Sequence, residues 1–268
     1  MEVSCAAADA ELVADLLFSA GAGAVAEEAD ADRGVTLLVA DLDPASVGGF
    51  EQVPGPPRKL RVVEVDPGWA TAWRDHARAR RAGPFVVRPP WVEPPPGPRD
   101  GTVDLVVDPG EAFGSGSHPT TRLCLAALAE EVRTGDTVLD VGCGSGILAV
   151  GALLLGAGSA LGIDTDPGSP PVATAVARAN GVADRFEASG RPLADVVARG
   201  PWDVVVANLP IGAIEDVGAQ LEAGTRRILV ASGLLADRVP RARRSVPGLE
   251  LRARAEEDGW VALTFVAP

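Results

Sequence analysis

Residues 137–150 read TVLDVGCGSGILAV: an apolar run, a cluster of small residues (Gly142-Cys143-Gly144-Ser145-Gly146), then a second apolar run. The first run has the length of a buried strand and the second the pattern of a buried helix. Glycines at such a strand-to-helix turn permit a tight bend and let a ligand approach the backbone. Asp140 stands just before the loop. Asp164 closes the next apolar run, LGID, twenty-two residues after Gly142. Further on, PWDVVVANLP carries an apolar strand into Asn208-Leu209-Pro210. In an open α/β sheet these three places lie at the carboxyl edge, where ligands bind.

The spacing restricts the chemistry. A dinucleotide loop is written G-x-G-x-x-G, with a pyrophosphate on the helix N-terminus. Here the glycines fall as G-x-G-x-G, and Ile147 takes the place of the third dinucleotide glycine. A carboxylate at Asp140 sits poorly beside a pyrophosphate and well beside an amino or other cationic group. Asp164 can accept both hydroxyls of an adenosine ribose. Together these features favour S-adenosylmethionine over NAD as the cofactor. Asn208-Leu209-Pro210 resembles the acceptor-amine loop of methyltransferases that act on nitrogen, in which the amide oxygen and a nearby backbone carbonyl can take hydrogen bonds from an incoming amine and aim the nitrogen lone pair.

A further segment, DPGEAFGSGSHPTTRLCL (108–125), places a loop of small residues and one of only two histidines between a strand (TVDLVV, 102–107) and a helix. This segment, with VLDVGCGSGILAVGALLLGAGSALGIDTDP and DVVVANLP, closely resembles the methyltransferases that modify the large-subunit ribosomal protein at the stalk base (PrmA type). The resemblance extends over almost the whole chain: SAGAGAVAEE, the Trp69, Trp73, Gly83 and Trp91 spacing, SGLL at 232–235 and GWVALTF near the end all fit it. It implies methyl transfer from S-adenosylmethionine to the N-terminal α-amine and lysine side chains of a basic ribosomal protein, free or on the ribosome. It assigns cofactor contacts to Phe113, Gly114, Thr121, Asp140, Gly142, Gly144, Asp164 and Asn208, and the acceptor site to Asn208 and Leu209. It also makes 113–120 a lid, with Thr121 offering a hydroxyl and a helix end to the methionine carboxylate. Phe113 would stack on adenine or anchor the lid. His118 would brace the lid or act as a base. The family usually has Asn-Ile-Leu where this chain has Asn208-Leu209-Pro210, which keeps open a different protein, peptide or small-molecule acceptor.

The elements that must hold these residues follow. Candidate strands are 137–141, 160–164, 185–188, 203–207, 228–231, 249–255 and 260–266, with helices between the early ones. That alternation implies a doubly wound, mostly parallel seven-stranded sheet of Rossmann-like, class I methyltransferase type. The last two strands read as a hairpin adding an antiparallel edge. Residues 1–66 read as a small α+β domain of ferredoxin-like type, with strands at 1–5, 23–28, 35–42 and 59–65, a helix at 9–20 and a reduced second helix; the resemblance makes it the substrate-recognition domain. Residues 67–100 read as a connector, with a helix over 69–81 and a stiff proline run at 94–98. Residues 101–268 form the methyltransferase domain.

The 268 residues carry a net charge of −13. Such a body lacks the basic groove that nucleic-acid binding needs and suits a basic partner. No apolar run is long enough to span a membrane, and the opening MEVSCAAADAELVADLL shows neither a basic region nor a cleavage pattern, so no signal peptide is expected. Cys5, Cys124 and Cys143 are too far apart to suggest a disulfide framework or a zinc site. A cytoplasmic monomer with no bound metal is the expectation.

Overall fold

The computed structural model describes residues 2–6, 13, 17, 25–30, 35–40, 58–61, 78–94, 101–108 and 113–268. The chain divides into two compact units, 1–76 and 77–268.

In the first unit β1 (Glu2–Ala6), β2 (Val25–Asp30), β3 (Val35–Ala40) and β4 (Arg58–Arg61) form an antiparallel sheet in the order β2-β3-β1-β4. Each neighbouring pair is antiparallel. This is the strand order of a ferredoxin-like fold. Val3, Cys5 and Leu38 are buried, as are Val13 and Leu17, which are helical and four residues apart; the 3.6-residue period puts such a pair on one helix face. The reduced second helix expected at 43–57 lies outside the described residues.

The second unit holds the expected seven-stranded sheet. Its strands are β8 (Thr137–Val141), β9 (Ser159–Ile163), β10 (Phe186–Ser189), β11 (Trp202–Asn208), β12 (Thr225–Leu235), β13 (Glu250–Glu257) and β14 (Trp260–Val266), in the order β10-β9-β8-β11-β12-β14-β13. The first five are mutually parallel and β14 runs antiparallel to β12. The order reverses at β8, so the crevice beside its carboxyl end is the topological switch point. Side chains alternate between the faces. Val204 and Val206 join one core with α1 (Pro119–Glu131), α2 (Ile147–Leu154) and α3 (Ser169–Ala179). Val205 and Ala207 join the other with α4 (Leu193–Val197), α5 (Ile211–Gly224) and α6 (Val239–Ser245). Pro170 and Pro171 fall in the first turn of α3, where a missing N–H costs nothing.

The final hairpin adds the expected antiparallel edge, with β14 docked on β12 and β13 outermost. The reason is burial, since Val261 to Phe265 are all buried whereas β13 is largely exposed. The helix expected over 69–81 does not reach its predicted end, because Arg80–Ala82 is a strand, β5; its residues 69–77 lie outside the described set. β5 pairs with β6 (Phe85–Arg88) around Gly83-Pro84, and β6 pairs in parallel with β7 (Val103–Val106). A Cβ on Gly83 would lie 3.1 Å from the Ala126 Cα, so this small sheet packs closely on α1. Part of the expected connector is therefore core structure of the larger unit.

Candidate cofactor and acceptor site

Four segments meet at the carboxyl edge of the sheet: the glycine loop 142–146, the segment 113–118, the turn at Asp164 and the loop 208–210. Gly142, Gly144 and Gly146 have φ of +72°, +49° and +75°, the left-handed region that favours glycine. The N–H groups of Gly142 and Cys143 donate to the Ile163 carbonyl at 2.8 and 3.0 Å, and that of Gly144 to Asp164 Oδ2 at 2.8 Å. Ser145 N–H donates to the Phe113 carbonyl at 2.9 Å, and Gly146 N–H to the Cys143 carbonyl at 2.7 Å. All five donors are thus used within the protein. A phosphate-binding loop would leave them for the anion, so this loop is a spacer that brings backbone close to a ligand without presenting positive charge.

Asp140 lies at zero exposure below the loop. Its Oδ2 accepts from Ala149 N–H in the first turn of α2 at 3.1 Å, which serves that helix because its N-cap, Gly146, has no capping side chain. Oδ1 is buried with no hydrogen-bond partner among the described residues. Burial pushes the Asp140 carboxyl up to about 7; the Ala149 N–H opposes that rise and the neighbouring Asp164 charge adds to it. Thr121 Oγ1, in the first turn of α1, is a second buried polar atom without a partner among the described residues. Cys124, one turn further along α1, is influenced by the Asp140 charge and by the Ser232 hydroxyl, and burial pushes its thiol up to about 12. The same face of α1 therefore looks onto the ends of β8 and β12. Orphaned buried groups are costly; a bound ligand carrying an amino group and a hydrogen-bond donor or acceptor would satisfy both.

Segment 113–118 is fastened to the glycine loop. Besides the Ser145 N–H bond to Phe113, Ser145 Oγ donates to the Gly114 carbonyl at 2.8 Å. A Cβ on Gly114 would meet Ser145 Oγ at 2.6 Å, and one on Gly144 would meet the Phe113 carbonyl oxygen at 2.5 Å. Phe113 is 51% exposed; it is anchored by its backbone, and its ring makes an edge contact with His118. Sequence reasoning missed Ser145, whose only signal was a hydroxyl among glycines.

His118 is the N-cap of α1: its ring accepts from Thr120 N–H at 3.4 Å, and its Nδ1 lies 2.7 Å from Thr120 Oγ1. Its ring also makes edge contacts with Phe113 and Trp260, centroids 5.9 and 4.8 Å apart. Burial, and then the nearby Arg122 charge, lower its pKa. Neutral and engaged as a cap, the imidazole fits the bracing role.

Asp164 Oδ1 accepts from Asp166 N–H at 3.0 Å, so both carboxylate oxygens face backbone donors at the end of β9. Asp166 in turn accepts from Gly168 N–H at 2.9 Å, shaping the entry to α3. Asn208 ends β11 half-buried, and its side-chain amide makes no hydrogen bond among the described residues. Leu209 N–H donates to the Ser232 carbonyl at 3.0 Å. Gly233, at φ +88°, passes so close beneath Leu209 that a Cβ would lie 2.4 Å from its carbonyl oxygen. The Leu209 side chain packs on the glycine loop: a Cβ on Gly142 would meet its Cδ2 at 2.4 Å. The sequence-predicted residues Phe113, Gly114, Thr121, Asp140, Gly142, Gly144, Asp164, Asn208 and Leu209 are thus placed by loops that touch one another. A surface cavity of about 590 Å³ lined by Pro240, Arg243, Arg244 and Phe265 lies at the other end of the sheet and is not part of this site.

Sheet order and crevice define a class I, Rossmann-like S-adenosylmethionine-dependent methyltransferase. The pattern described as ribosomal protein L11 methyltransferase (PrmA) matches residues 56–268, and the chain belongs to this family. It is 39% identical to the ribosomal protein L11 methyltransferase of Cupriavidus necator, over 95% of this chain and 93% of that protein. It is 41% identical to that of Thermus thermophilus, over 75% of this chain and 78% of that one. The crystal structure of ribosomal protein L11 methylase from Lactobacillus delbrueckii subsp. bulgaricus superposes with a TM-score of 0.62 at 29% identity, covering 68% of this chain and 93% of that one. Among the described residues no helix is long and apolar enough to cross a membrane.

Proposed function

We propose that this methyltransferase acts on ribosomal protein L11, at the N-terminal α-amine and lysine ε-amines. Family membership and the similarity over nearly the whole length of its relatives support the substrate. The observation that carries the reaction is the packing of Leu209 on Gly142, which sets the acceptor loop directly against the cofactor loop.

When bound, S-adenosylmethionine supplies an electrophilic methyl group on a sulfonium sulfur. The residues present suit it: Asp140 Oδ1 and Thr121 Oγ1 for the amino-acid end, Asp164 for the ribose, and the exposed Phe113 for the adenine. Asn208 offers a carbonyl oxygen with no other partner among the described residues to orient an amine N–H, and Leu209 brings its backbone to the same place. Segment 113–118, tied to Ser145, covers the site and excludes water. With His118 neutral and capping α1, the acceptor reaches the site as the free amine, its proton lost to solvent, and rate comes from alignment. The first unit recognises the substrate, and the acidic body attracts a basic one.

The test is intact-mass spectrometry of unmethylated L11 incubated with the enzyme and S-adenosylmethionine, beside an Asp164→Ala variant. A ladder in methyl steps that the variant loses is expected. An unshifted L11 mass from an enzyme that binds cofactor refutes the acceptor and turns attention to other protein, peptide or small-molecule amines.

A further inference from the structure

Arg122 follows Thr121 in the first turn of α1. Its Nε lies 3.0 and 3.3 Å from the two carboxylate oxygens of Glu257, and its Nη2 lies 2.6 Å from Oε1. Its remaining arm, Nη1, donates to the Ser117 carbonyl. Glu257 is the last residue of β13, before a two-residue turn in which Asp258 and Gly259 have φ of +51° and +81°. Trp260, paired with Glu257 across that turn, is the residue whose ring meets His118. The hairpin tip therefore reaches segment 113–118 twice, through the Arg122 fork to Ser117 and through Trp260 to His118. The other end of the segment is tied to Ser145 through the Phe113 and Gly114 carbonyls.

A solvent-exposed ion pair contributes little. This one differs in geometry: the Arg122 side chain is only 16% exposed, the contact is forked, and a third donor is committed to backbone. A planar guanidinium satisfies all three directions at once and an ammonium does not.

We propose that Arg122 and Glu257 are a positioning pair for methyl transfer: by fixing the Ser117 end of the segment across the glycine loop, they set how tightly the cofactor is held, without touching cofactor or acceptor. The proposal rests on the reading that this segment covers the cofactor.

The experiment measures S-adenosylhomocysteine binding by calorimetry and methyl-transfer kinetics for Glu257→Ala, Arg122→Lys and Glu257→Gln, with thermal melting alongside. Glu257→Ala and Arg122→Lys should each weaken binding about tenfold and raise the KM for S-adenosylmethionine in parallel, with kcat at saturating cofactor held within about twofold. Glu257→Gln, which keeps an acceptor for the fork, should recover most of the affinity. A lower melting temperature with unchanged affinity and KM would show a purely structural pair and overturn the proposal, as would a loss confined to kcat. Failure of the unaltered protein to bind S-adenosylhomocysteine would instead overturn the cofactor reading, and the pair's role with it.

Discussion

The proposed pairing of Asp140 with the cofactor's ammonium group makes cofactor binding depend on pH. In the free protein burial raises its carboxyl to about 7, so near neutrality it is about half ionised. Among the described residues the charge that acts on it is that of Asp164, and the donor it accepts from is the Ala149 N–H. An ammonium group at the unpaired Oδ1 requires the carboxylate form. At pH 6 only about one molecule in eleven carries it, and at pH 5 about one in a hundred. The cofactor's own α-amine loses its proton with a pKa of about 7.7–8, so the two limbs cross and affinity should peak between roughly pH 7 and 7.5. Relative to that peak, S-adenosylhomocysteine should bind about fivefold more weakly at pH 6 and about fiftyfold more weakly at pH 5. Calorimetry in buffers of different ionisation enthalpy should show net proton release on the acid side of the peak. Asp140→Asn should bind more weakly at pH 7.3 and lose the acid limb while keeping the alkaline one. An affinity that is flat from pH 5.5 to 7.3, or an acid limb unchanged in Asp140→Asn, would refute the assignment of Asp140 to an ammonium group. The same residue sets a stability trend of known sign. Its folded pKa lies above the unfolded value near 3.8, so its contribution is fully present below pH 3.8 and is lost as pH rises through about 7. The limiting size is on the order of 4 kcal/mol, and Asn at 140 should remove it, as ligand-free melting curves would reveal.

Three further outcomes follow from the same geometry. Gly144→Ala forces a Cβ to within 2.5 Å of the Phe113 carbonyl oxygen at a φ of +49°; cofactor affinity should fall by at least about tenfold, and hydrogen exchange at the Ser145 amide should accelerate as its bond to Phe113 breaks. Asn208→Ala removes the free amide from the acceptor loop; kcat should drop about a hundredfold, with a much smaller change in S-adenosylhomocysteine binding, and an equal loss in both would make Asn208 a cofactor residue only. His118→Ala deletes the α1 cap and should cost about 1 kcal/mol of stability, while the pH dependence of kcat keeps its shape; loss of a limb near the imidazole range would make His118 the base.

The features legible in the sequence are those that neighbouring residues settle among themselves. The G-x-G-x-G spacing already argued against a pyrophosphate, and the structure supplies the reason, since every N–H from Gly142 to Gly146 finds a partner within the protein. The carboxyl-edge positions of Asp164 and Asn208 followed from the apolar runs that end on them. β5 was not legible because three residues, two of them exposed arginines, carry no period, and a helical pattern overlapped them. The inner position of β14 was legible in principle: VALTF is almost continuously apolar and ELRARAEE is not, and a strand covered on both faces reads that way. The hairpin pattern establishes that the two strands pair; burial establishes which one docks on β12. The Arg122–Glu257 fork belongs to a different order of information. The partners are 135 residues apart, and nothing in the type of either residue names the other until β14 has inserted and carried the hairpin tip to α1. The same insertion that the hairpin pattern left open is thus what delivers Glu257 and Trp260 to segment 113–118. The outermost strand of the sheet thereby acquires a role at the site that its own sequence, charged and exposed, gives no sign of.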